Sequence, residues 1–157
     1  CGDHRDLYSF PTRRSSDLEK QTWMSFAWAL PHGVPQGWLV SMNQTVVKQI
    51  YSVLRGFGVR RASFVPCWRA NGFFDWVSTP AREDVFATWE RNGRILLVVS
   101  NLRTFNGGAS SPVRLRWKGF ANPRVRNMLT NTDLTLVDNT LEVTIPPERF
   151  ALIRFQP

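Results

Sequence analysis

Few side chains in this sequence offer chemistry, and their spacing narrows the choice. Outside residues 1–18, Cys67 is the only thiol and His32 the only imidazole. A lone thiol forms no internal disulfide, and these two residues do not make a metal cluster, so no metal and no cofactor are expected. The acids between residues 19 and 80 are Glu19 and Asp75, which stand too far apart in sequence to suggest a paired acid and base. The pair that does point to a ligand is Trp68–Arg69. An exposed indole stacks on the apolar face of a sugar ring, and a guanidinium hydrogen-bonds hydroxyls. His32, in the loop-like string PHGVPQG, and Asp75, beside Trp76, are further candidates for binding. Each has a plainer alternative. Trp68 would serve as a wedge between domains, His32 as an ordinary surface residue, and Asp75 as a turn residue beside a packing Trp.

Residues 1–18 carry no apolar period. The string SFPTRRSSDL at residues 9–18 resembles the translation of a common short-read sequencing adaptor, and residues 2–7 (GDHRDL) match its upstream bases. Residues 1–18 are therefore expected to be adaptor-derived and disordered, and fold reasoning starts at Glu19. On that expectation the natural frame begins further upstream. Absence of a signal peptide then says nothing about compartment, and a secreted or periplasmic parent is compatible with it.

Composition sets the class. An apolar share of 43% and a charged share of 20% are globular values, and no apolar run is long enough to span a membrane. The net charge of +8 does not come from residues 1–18, where three Arg offset three Asp. The remaining basic residues are spread along the chain without zinc-finger spacing or a basic arm, so no nucleic-acid partner is expected. The seven tryptophans all lie beyond residue 18 and need a structural account.

Two unlike halves must position these residues. In residues 19–80, the nearly continuous apolar run TWMSFAWAL at 22–30 predicts a strand covered on both faces. Ser41 with Gln44 has capping-box spacing and predicts a helix start. Val46, Val47, Ile50, Tyr51, Leu54 and Phe57 fall on one helical face, Lys48, Gln49, Ser52 and Arg55 on the other, and Gly56 and Gly58 supply the stop. The run ASFVPCW predicts a second strand. Strand, helix, strand reads as the last unit of a larger β/α barrel, with sheet edges that need neighbours. Trp68 and Arg69 would then follow a strand end, on the face where barrels build their sites.

From about residue 84 the pattern is all strand. Asn92-Gly93 between two apolar runs predicts a tight hairpin. RILLVV is apolar on both faces and predicts a central strand. PVRLRWK alternates, which turns Val113, Leu115 and Trp117 inward and leaves Arg114, Arg116 and Lys118 as a solvated row. Trp89, by its alternation with Thr88 and Glu90, also points inward. RVRNML, LTLVD, LEVTIP and FALIRF complete the set, with Asp138-Asn139 as another turn. The fold class expected is mainly β: an antiparallel sandwich over residues 84–157, preceded by a strand–helix–strand barrel remnant over 19–80.

The strings GFGVRRASFVPCWRANGFF, VFATWERNGRILLVVSNL and LTLVDNTLEVTIPPERFALIRF resemble the tail of bacterial proteins similar to glycoside hydrolase family 123. That family carries an F-[IV]-P-x-W strand end on its barrel and a V-x-N-L strand end in its sandwich. The resemblance implies cleavage of amino-sugar glycosides by an acidic pair on earlier barrel strands, assisted by the substrate's acetamido group. It transfers no catalytic residue to this chain. Two functions are therefore expected as alternatives. One is an accessory sandwich that touches and supports a missing catalytic barrel and is inactive alone. The other is an independent carbohydrate-binding module.

Overall fold

The computed structural model describes residues 15–33, 42–77, 84–102 and 110–157. Two helices come first, α1 (Ser15–His32) and α2 (Gln44–Phe57), followed by a 3-10 turn at Val59–Arg61. The strands are β1 (Ser63–Val65), β2 (Phe74–Trp76), β3 (Asp84–Arg91), β4 (Arg94–Asn101), β5 (Ser111–Trp117), β6 (Arg124–Asn127), β7 (Thr132–Leu134), β8 (Thr140–Ile145) and β9 (Arg149–Gln156).

The run at residues 22–30 is not a strand. It is the second half of α1. Thr22, Phe26, Ala27, Ala29 and Leu30 are buried while Trp28 is exposed, the recurrence of a helix face. The run belongs to an element of 18 residues, too long for an ordinary strand. Residues 15–18, expected to be disordered, form its first turns, and the Thr22 hydroxyl donates to the Leu18 carbonyl at 2.7 Å. Residues 1–14 lie outside the described residues. The expected strand–helix–strand is thus helix, helix, strand. β1 pairs antiparallel to β3, and no parallel pair occurs among the described residues.

α2 has the expected buried face of Val46, Val47, Ile50, Leu54 and Phe57, with Tyr51 partly buried beside it. Its cap is Asn43, whose carboxamide oxygen accepts from the amides of Thr45 (3.1 Å) and Val46 (3.2 Å). Ser41 lies outside the described residues, and Gln44 donates to the Met42 carbonyl. The Asn43 amide donates in turn to the Thr22 hydroxyl at 2.8 Å, which ties the start of α2 to α1. The helix stops where Gly58 turns left-handed, at φ +83°.

The strands form two sheets. One has six strands in the order β1-β3-β4-β9-β6-β7, the other three in the order β2-β5-β8. Every pairing is antiparallel. β4 is the central strand that its apolar pattern predicts, buried from Ile95 to Asn101. Asn92 (φ 52°) and Gly93 (φ 71°) make the β3–β4 turn, and Asp138 (φ 48°) and Asn139 (φ 58°) the turn before β8. The expected LTLVD strand at 134–138 does not form: β7 ends at Leu134, and beyond it only Val137 makes an isolated bridge, to Thr140, because the chain is already turning towards β8.

The six-stranded sheet is covered on both faces. Trp89, Leu96, Val98, Phe150 and Leu152 pack against Phe26, Leu30, Val47, Ile50 and Leu54 of the helices. Ile95, Leu97, Val99, Ile153 and Phe155 pack against Phe74, Val113, Leu115, Trp117 and Leu141 of the smaller sheet. The layers are therefore helices, large sheet, small sheet. β1 joins the large sheet and β2 the small one, so residues before 80 contribute a strand to each.

The strand-end motif around Asn101 has a clear use. Its carboxamide donates to the Ile145 carbonyl at 2.9 Å, and its own carbonyl accepts from the Glu148 amide at 2.9 Å. Asn101 is fully buried and stitches β4 of one sheet to the end of β8 in the other. A shorter or apolar side chain would leave a buried carbonyl unpaired.

Candidate functional site

The end of α1 and the segment after β1 meet at the surface. Gly33 turns the chain off the helix at φ +68°, where a Cβ would come within 2.6 Å of the Phe64 ring. Pro66 follows β1 and carries no N–H to continue a ladder. The chain then turns, with the Arg69 amide donating to the Pro66 carbonyl at 3.1 Å. The Cys67 amide donates to the Pro31 carbonyl at 3.1 Å, and this bond fixes the turn against the helix end.

Three aromatic rings come together there. Trp28 and His32 are one helical turn apart on α1, with ring centroids 6.5 Å apart and planes 17° from parallel. The Trp68 ring lies 5.8 Å from His32 at 32°. Trp28 is 47% exposed and Trp68 64% exposed, the two exposed tryptophans among the described residues. Neither belongs to a hydrophobic core cluster. His32 Nδ1 lies 2.7 Å from the Trp28 carbonyl. A carbonyl only accepts, so Nδ1 carries the proton and Nε2 is left as an acceptor in the neutral ring. Arg69 is exposed at the same turn.

The expected site residues therefore divide. His32 and Trp68 touch, with Arg69 beside Trp68 in the chain. Asp75 sits elsewhere, exposed on the edge strand β2 of the small sheet, where Lys118 Nζ reaches its Oδ1 at 2.8 Å. Trp76 packs edge-on against Phe86 at 5.2 Å. Trp28 is the residue that sequence reasoning missed. A strand covered on both faces would have buried it, whereas the i, i+4 spacing of Trp28 and His32 was the available signal.

Trp89 and Trp117 are core residues as expected, 8% and 4% exposed. The row on β5 is solvated and largely paired, with Arg114 Nε 3.3 Å from Glu142 and Lys118 on Asp75. Burial raises the Cys67 thiol pKa above its usual value, more than the backbone hydrogen bond at that thiol lowers it. The thiol is thereby a poor nucleophile at neutral pH. No group of three potential metal ligands occurs among the described residues, and no described helix is long and apolar enough to cross a membrane.

No family model and no curated protein sequence matches the chain. Solved structures do. A noncanonic maltogenic α-amylase from Thermotoga neapolitana is similar over 91% of this chain and 37% of its own, with a TM-score of 0.53 and 12% identity. An Anoxybacillus α-amylase is similar over 74% of this chain and 23% of its own, with a TM-score of 0.50 and 12% identity. A family 27 β-L-arabinopyranosidase from Geobacillus stearothermophilus is similar over 50% of this chain and 18% of its own, at a TM-score of 0.39 and 18% identity. At these identities the likeness to the two α-amylases is one of fold, and this chain spans well under half the length of each of the three.

Proposed function

We propose that this chain is the C-terminal part of a glycoside hydrolase-like protein, an accessory sandwich that supports a catalytic β/α barrel and does not hydrolyse glycosides alone. One observation carries the reading: the fold follows a maltogenic α-amylase over 91% of this chain while spanning only 37% of that enzyme. The resemblance of the strings at residues 56–74, 85–102 and 134–155 to family 123 tails supports the same parentage. The test is twofold. The purified chain should turn over no aryl glycoside above a matched blank. Reads extending the frame upstream should encode barrel strands with acidic ends. Hydrolysis by the chain itself, with contaminating activity excluded, sinks the proposal.

A second reading, a carbohydrate-binding module, draws on the exposed rings of Trp28, His32 and Trp68. Stacking on sugar C–H faces needs such flat, solvent-facing aromatics. Retention of the chain on insoluble polysaccharides should be reduced by Trp28→Ala and by Trp68→Ala. A folded chain that none of the polysaccharides retains removes this reading.

A further inference from the structure

The densest unpaired charge lies away from the aromatic rings, where α2 ends. A pocket of about 390 Å³ opens there between Arg55, Arg60, Arg61 and Arg91, over a floor that includes Tyr51 and Val59. Among the described residues no acidic side chain lines it. Arg91 is held in place, with Nη1 donating to the Phe57 carbonyl at 3.1 Å. Gly58 makes room for that guanidinium, since a Cβ there would collide with it. Arg55, Arg60 and Arg61 are exposed and form no ion pair among the described residues. Elsewhere some basic side chains are paired: Arg114 with Glu142, Lys118 with Asp75 and Arg126 with Asp133.

The helix end does not account for this charge. Its free carbonyls amount to roughly half a negative unit charge. The Gly58 amide already donates to the Leu54 carbonyl, and Arg91 serves Phe57. Three guanidinia around one opening have no ion-pair partner among the described residues. A guanidinium matches two oxygens of a tetrahedral oxyanion at once, which an ammonium does not. The tyrosine and valine of the floor offer apolar surface to ring C–H groups.

We propose that this pocket binds the sulfate or phosphate ester group of an anionic saccharide. The oxyanion half of the proposal stands on the arginines; the saccharide half rests on the glycosidase-like reading above. Calorimetric titration of the full chain tests both. The ligands are a sulfated dextran oligosaccharide, the same oligosaccharide unsulfated, and sodium sulfate at matched ionic strength. The sulfated sugar should bind, and the Arg60→Ala/Arg61→Ala double variant should weaken it by about tenfold or more, as loss of charge-assisted hydrogen bonds does. Arg60→Lys/Arg61→Lys should restore part of the affinity. Both residues are exposed, so circular dichroism should show the fold unchanged. Arg114→Ala/Arg116→Ala removes the same charge from the β5 row and should leave binding intact. If that control loses as much, the net charge of +8 and not the pocket is responsible, and the proposal fails. Sodium sulfate binding as tightly as the sulfated sugar overturns the saccharide class. Binding of neither anion overturns the site. None of these outcomes depends on the upstream sequence, which judges the parent protein separately.

Discussion

The two faces of the six-stranded sheet are closed by different devices. One meets two helices, through mostly aliphatic contacts with separate aromatic pairs such as Phe64–Trp89, 4.9 Å apart, and Phe26–Tyr51, 5.9 Å apart. The other meets a small sheet through contacts that are also mostly aliphatic, but with its rings linked into one continuous nest. Trp117 stacks on Phe155 at 4.6 Å and on Phe73 at 6.0 Å, and meets Phe74 and Phe120 at 5.1 Å each. Its indole N–H donates to the Phe120 carbonyl at 2.9 Å. The strands β3, β4 and β9 of the large sheet serve both sides by alternation. The helix side therefore depends on local helix formation before residue 60, and the sandwich side on pairing between distant strands.

The comparison can be broken most sharply at its two buried tryptophans. Trp117→Ala should lower stability by about 3–5 kcal/mol, as large core truncations do. Trp89→Ala should cost less, because among the described residues its ring meets that of Phe64 alone. Urea denaturation midpoints measure both, and an equal or reversed order would show that the helix side is the better packed. Next comes the stitch between sheets. Asn101→Ala leaves the Ile145 carbonyl buried without that donor and should cost about 1–3 kcal/mol by the same measurement. A neutral result would mean that water replaces the amide. Asn43→Ala removes the cap of α2 and should cost about 1 kcal/mol. Amide exchange should then quicken in α2 while β4 and β9 keep their protection.

The smallest effect is a pH dependence. Burial raises the native Cys67 pKa, so the thiol keeps its proton where the unfolded chain has lost it. Unfolding then releases a proton, and this contribution to stability falls as pH rises through the ordinary thiol range. Alkylation of the native chain by iodoacetamide should follow a rate curve displaced to higher pH than that of the urea-unfolded chain. Coincident curves would refute the burial.

Most of the sandwich was legible. Strict alternation in residues 113–117, the doubly apolar 95–99 run and the Asn-Gly and Asp-Asn turns reflect short-range rules that few tertiary contacts override. The α2 face was equally plain. Residues 22–30 misled because a short apolar run with two tryptophans satisfies a buried strand and a half-buried helix alike. Only the length of the element, extending back to Ser15, separates them. The aromatic site was half legible for the same reason. His32 and Trp68 were singled out, but Trp28 was assigned to an interior it does not enter, and Asp75 to a site from which its ion pair with Lys118 separates it.

By itself the sequence determined which residues alternate, where the chain reverses and which helix face is apolar, because those properties depend on neighbours within a few residues. Tertiary structure alone decided that β1 and β2 join different sheets, that three rings separated by up to forty positions share one surface, and that four arginines enclose one pocket. Such meetings arise from pairing and packing between segments far apart in the chain, and no local pattern encodes them.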